Sequence, residues 1–151
     1  MANHNEAAIR TLNGLIKINE DGKAGYKNAA EHIDDQELKT ILLRLSQQRS
    51  LFEEELKDDI RQLGGEYDIK ASGTLLGDAH RAWFDIKSKF VKNDTDAILD
   101  ECKRGDRSAL EAYSKALDNK LPDVVRERLA NQVKLVEGTL RQLDEFKHSV
   151  H

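Results

Sequence analysis

The chain is poor in residues that interrupt or cross-link a fold: 151 residues contain one proline, one cysteine and nine glycines. A lone Cys102 cannot close an internal disulfide, so stability has to come from packing. With proline confined to position 122, nothing forbids long uninterrupted helices before it. No apolar run approaches the ~20 residues of a membrane span. The start, "MANHNEAAIR", has neither a basic opening nor an apolar core, so it shows no secretory signal. An excess of one charge is also missing. The 24 basic and 28 acidic residues are interspersed, and a net charge of −4 argues against nucleic acid or an anionic membrane as partner. These absences together point to a cytoplasmic, reduced setting. Gly64-Gly65 and Gly73/Gly77 lack the spacing and strand context of a phosphate-binding loop.

What is present is helical periodicity. Ile9, Leu12, Ile16, Tyr26, Ala30 and Ile33 recur at three- and four-residue steps, drawing one stripe along a helix of about 6–32. A second stripe, Leu38 to Leu63, predicts a helix over 35–63 that stops at Gly64-Gly65. Ile98, Leu99, Cys102, Ala109, Tyr113 and Leu117 define a third over 95–118. Val125, Leu129, Val136, Leu140, Leu143 and Phe146 define a fourth over 122–148, with Pro122 tolerated at its start. Short links near "HIDDQ" and "LDNKLPD" make each pair an antiparallel hairpin. The connection 64–94 is long enough to travel the bundle, and Leu75, Ala79, Trp83, Ile86 and Phe90 give it a helix at about 74–91. The expected architecture is a single all-α domain over 1–151, an up-down four-helix bundle of two hairpins with ferritin-like connectivity.

An internal repeat supports the duplication. "RLSQQRSLFEEEL" (44–56) and "RLANQVKLVEGTL" (128–140) match at six of thirteen positions, where average residue usage gives roughly one. Both contain Gln-x-x-Leu, at Gln48/Leu51 and Gln132/Leu135. Ferritin-like di-iron sites place Glu-x-x-His at such a step, because iron needs carboxylate charge and imidazole donors. Glutamine carries no charge and leucine cannot ligate, so neither metal nor cofactor is expected there.

Each stripe has a polar interruption near its middle: Asn19, Gln48, Asp106 and Gln132. At similar height in a bundle these form a structural polar layer, since a buried polar group left unpaired costs ~1–3 kcal/mol. Tyr26 and Tyr113 are placed to close that layer with their hydroxyls. The alternative is a divalent metal on oxygen ligands, for which Glu20, Asp106, Glu101 and Glu111 are the weak candidates. Which residue of the first helix faces Asp106 stays open, because pairing Tyr26 with Tyr113 conflicts with pairing Gly22 with Gly105. Cys102 reads as a small buried apolar group rather than a nucleophile. His80 and Trp83 read as the anchor of the crossover on the bundle, with no catalytic partner at recognisable spacing. Glu145 and His148 form a literal Glu-x-x-His, but at the C-terminal end of the last helix.

Four segments carry a family resemblance: "NEDGKAGYKNAAE" (19–31), "GTLLGDAHRAWFDIKSKF" (73–90), "AILDECKRGDRSALEAYSKAL" (97–117) and "LPDVV" (121–125). The chain resembles a bacterial family of small four-helix-bundle proteins in the ferritin-like superfamily, described as a domain of unknown function. The resemblance implies the ferritin-like fold, no established activity, and a role near stress physiology. That family usually carries Glu where this chain has Asp106. The function expected from all of this is a non-enzymatic structural or interaction protein that forms a homodimer. The alternative is a divergent ferritin-like metal-binding protein or oxidoreductase.

Overall fold

The computed structural model of the chain describes residues 2–68, 83 and 91–150. The helix expected at 74–91 and the side chain of His80 lie outside the described residues, apart from Trp83 and Val91. Four α-helices account for most of what is described: α1 (Ala2–Glu31), α2 (Gln36–Gln62), α3 (Thr95–Leu117) and α4 (Asp123–Val150). No strand occurs among the described residues, and no helix is long and apolar enough to cross a membrane.

Local signals set the helix ends. Asp35 caps α2 by accepting from the Leu38 backbone N–H at 2.9 Å, and Asp94 caps α3 through the Ala97 N–H at 3.4 Å. Gly64, at a φ of 89°, lets the chain turn left-handed after α2, and the Gly65 N–H returns to the Ile60 carbonyl at 3.0 Å. Asn93 adopts a φ of 61° just before α3. Its backbone N–H donates to the His32 carbonyl at 2.7 Å, and its amide exchanges two hydrogen bonds with Asp34 at 2.8 Å.

Those contacts place the start of α3 beside the α1–α2 turn. At the other end, Asn5 on α1 donates to the carbonyl of Leu63, just past α2, and Asn119 after α3 donates to Thr11 on α1. Helices α2 and α3 therefore run in the same direction, with α1 and α4 antiparallel to them. Helix α1 packs against both α2 and α3, and α4 closes the square against α3 and, more sparsely, α2.

The core has two apolar halves. One gathers Leu12, Leu15, Ile16, Leu56, Ile60, Ala109, Tyr113 and Leu129. The other gathers Tyr26, Ala29, Ile33, Leu38, Leu42, Trp83, Ile98, Leu99, Cys102 and Leu143. Burying each Leu, Ile or Phe side chain contributes roughly 1.5–3 kcal/mol. Between the halves lies a belt of buried polar side chains, Asn19, Arg49, Asp106 and Gln132, all 2% exposed or less.

Candidate functional site

The belt is built from one inward position on each helix. On α2 the inward stripe runs Leu45, Arg49, Phe52, Leu56, at steps of four, three and four, and this puts a guanidinium in the middle of the bundle. Arg49 meets Asp106 of α3 side by side: Nη1 donates to Oδ1 at 2.6 Å and Nη2 to Oδ2 at 3.1 Å. The two side chains are 1% and 0% exposed. The Tyr26 hydroxyl of α1 donates to the same Asp106 Oδ2. The remaining face of the guanidinium is covered by rings, with its carbon 5.4 Å from the Tyr26 centroid and 5.8 Å from that of Phe52.

The electrostatics follow from burial and this pairing. Desolvation, the largest single influence, pulls the Arg49 guanidinium down, but the Asp106 carboxylate, with smaller help from Tyr26 and Tyr113, outweighs it, so its pKa ends above the ordinary value. Tyr26 is driven well above its usual value by burial and then by the Asp106 charge it faces. Burial, with Asp106 second, does the same to the Cys102 thiol, which is therefore a protonated core group rather than a nucleophile.

Trp83 seals this group from the side. Its ring is 3% exposed and lies 5.3 Å from the Tyr26 ring at an interplanar angle of 55°. It fits because two helices offer glycine beneath it. A Cβ on Gly25 of α1 would stand 2.0 Å from the indole, and one on Gly105 of α3 would stand 2.4 Å from it. The indole N–H is buried and makes no hydrogen bond.

A second strand of the belt links all four helices. Asn19 Nδ2 donates to the Tyr113 hydroxyl at 2.9 Å, and Tyr113 donates to Gln132 Oε1 at 2.6 Å. Gln132 Nε2 in turn donates to Glu55 Oε1 at 3.1 Å, reaching α2. Arg128 reinforces the α2–α4 seam by donating from Nε to Asp59 Oδ2 at 3.1 Å. Tyr113, fully buried, is raised above the ordinary phenol value by desolvation.

Asn19, Asp106 and Gln132 thus stand in the buried middle. Gln48 is half-buried beside them, where its Oε1 accepts from Arg49 Nε at 3.1 Å. The leucines of the two Gln-x-x-Leu steps face outward, Leu51 at 60% and Leu135 at 51% exposure. Sequence reasoning passed over Arg49 because the repeat drew attention to Gln48, the residue matching Gln132. The spacing from Leu45 to Phe52 was the signal, since a four-then-three step passes through 49 and not 48.

The four carboxylates considered for a metal have separate surroundings. Asp106 is held by Arg49 and Tyr26. Glu101 pairs with Arg104 one turn along α3. Glu111 is exposed on α3, and Glu20 lies half-buried on α1, 3.8 Å from Lys17 Nζ. Near Glu20, Glu53 of α2 is almost fully buried and has Lys23 Nζ 3.4 Å from its Oε1. Burial raises Glu53 above the usual carboxylate value, and Lys23 opposes that shift. Tyr67 is pushed up to about 12 by burial and then by Glu20. Among the described residues, no group of three or more His, Cys, Asp or Glu side chains converges as metal ligands do.

Comparison with curated proteins gave no match. A family model matches residues 7–119, a span that contains Tyr26, Arg49, Trp83 and Asp106 and ends in the α3–α4 turn. The chain therefore belongs to the family described as "Domain of unknown function (DUF2383)".

Proposed function

We propose that this protein is a non-enzymatic four-helix bundle of ferritin-like connectivity that acts through its outer surface, by association with a second copy or another protein. The observation that carries the proposal is the buried Arg49–Asp106 pair. In a ferritin-like metal protein the centre of the bundle is where carboxylates gather around a cation. Here the carboxylate at that place already holds one, and it is the chain's own guanidinium. A divalent ion ~4 Å from that guanidinium would meet repulsion on the order of 8 kcal/mol at an effective dielectric of about 20. Gln48 and Gln132 supply no compensating charge. The donor set does not fit a di-iron centre, and no redox chemistry is assigned to it. A cytoplasmic setting and a homodimer belong to this reading, and the interspersed charges with a net of −4 speak against nucleic acid or an anionic membrane as partner.

One observation favours a second reading, a divergent metal-binding protein. Glu53 Oε1 is buried without a hydrogen bond, and Glu20 lies close enough to raise the Glu53 pKa. With Lys23 turned to solvent, these two carboxylates would offer oxygen ligands to manganese, magnesium or calcium.

Elemental analysis of protein purified without chelator tests both. The expected result is iron and manganese far below one per chain, with a melting temperature unmoved by added Mn²⁺. A tight site would raise stability by ~2.7 kcal/mol at a hundredfold excess over its Kd. Stoichiometric metal that Asp106→Ala removes would overturn the first reading. Stoichiometric metal that Glu53→Gln removes would establish the second.

A further inference from the structure

The outer face of α2 carries a pattern that is complementary to itself. Leu51 is 60% exposed at its centre, a large apolar group left mostly to solvent. Seven residues are almost two helical turns, so Arg44 and Asp58 lie on the same stripe, one on each side of Leu51. Both are exposed. Gln47, four residues before, and Glu54, three after, are also exposed, whereas Gln48 and Glu55 are half-buried and bonded within the chain, Gln48 to Arg49 and Glu55 to Gln132 and Arg128. The exposed residues ahead of Leu51 therefore have partners of matching chemistry behind it: Arg44 with Asp58 at seven residues either side, and the amide of Gln47 with the carboxylate of Glu54 nearer in.

We propose that α2 pairs with α2 of a second copy, antiparallel, about a two-fold axis passing at Leu51. This rests on the reading of the protein as a self-associating bundle and names the face. In that arrangement Leu51 meets its own copy. Arg44 faces the partner's Asp58 and Asp58 the partner's Arg44, and Gln47 faces the partner's Glu54. A two-fold interface requires this correspondence, because each contact occurs twice with the roles exchanged. The other outward leucine of the repeat lacks it. Seven residues either side of Leu135 on α4 stand Arg128 and Gln142, and Arg128 is already bound to Asp59 and Glu55.

A single pair of four-turn helix faces lies near or below the ~1,200 Å² at which stable interfaces begin. The dimer is therefore weak and salt-sensitive, forming at tens of micromolar rather than nanomolar protein. Sedimentation velocity on the full chain, from about 1 to 500 µM in low salt, reads this directly, with helical circular dichroism to verify folding of each variant. Wild type is expected to shift from monomer to dimer across that range. Leu51→Glu, at an exposed site, should abolish the shift. Arg44→Asp and Asp58→Arg should each weaken the dimer roughly tenfold or more, since symmetry counts each change twice. The double variant Arg44→Asp/Asp58→Arg should restore it. A wild-type dimer indifferent to all three single changes would overturn the α2 face while leaving self-association standing. Singles that weaken the dimer without restoration in the double variant would overturn the antiparallel register. A wild type monomeric throughout the range would overturn both the face and the self-associating reading.

Discussion

Arg49 of α2 and Asp106 of α3 form a two-pronged ion pair at 2.6 and 3.1 Å with 1% and 0% of their side chains exposed. Removing a guanidinium and a carboxylate from water costs several kcal/mol each, which the mutual attraction offsets only with good geometry and further hydrogen bonds. Both conditions are met: the Tyr26 hydroxyl reaches Asp106, and Gln48 takes the Arg49 Nε–H. The pair contributes less to net stability than to uniqueness of register, because only one sliding position of α2 against α3 brings the charges together.

The seat of Trp83 gives a steric prediction. A Cβ on Gly25 would stand 2.0 Å from the indole, so Gly25→Ala must displace the ring and should destabilise by ~1–3 kcal/mol, as overpacked cores do. Trp83→Ala removes the ring and should cost ~3–5 kcal/mol. In the Trp83→Ala background, Gly25→Ala should become nearly neutral or stabilising, since alanine favours helix over glycine by ~1 kcal/mol. Urea unfolding of the four proteins checks this, and additive effects would place Trp83 elsewhere.

Alkaline behaviour follows from the tyrosines. All three, Tyr26, Tyr67 and Tyr113, have pKa values raised by burial, with Tyr67 at about 12. The unfolded chain releases these protons near 10, whereas the folded chain retains them, so the native state binds more protons above that pH. Stability should be unaffected by these groups below pH 10 and should fall as pH rises from 10 towards the folded values. Absorbance at 295 nm should therefore show no phenolate formation at pH 10 in the folded protein. Its later rise should coincide with loss of helical circular dichroism. A normal titration near pH 10 with the helices intact would contradict the buried hydroxyl placements.

The helices were legible because stripes of Leu and Ile at three- and four-residue steps survive any tertiary context, and Gly64-Gly65 marks where α2 stops. The middle of the bundle was only partly legible. Asn19, Asp106 and Gln132 interrupt apolar stripes on their own helices, which a one-dimensional pattern displays. Arg49 was hidden by a competing pattern, because repeat matching selected Gln48 where periodicity selects its neighbour. The Tyr26–Asp106 bond joins α1 to α3, whose repeats align at several offsets, so no spacing rule could choose it. Gly25 and Gly105 look like flaws in helices until the Trp83 ring is set against both.

The most direct measurement is a double-mutant cycle on the central pair by urea unfolding. Arg49→Met leaves Asp106 buried without its partner, and Asp106→Leu leaves the guanidinium so; each should cost ~3–5 kcal/mol. The double variant Arg49→Met/Asp106→Leu removes both charges and should lie within ~1–2 kcal/mol of wild type, giving a coupling of several kcal/mol. Two singles that cost under ~0.5 kcal/mol and simply add would show that the charges do not meet in the core, and the account of the bundle's centre would fail.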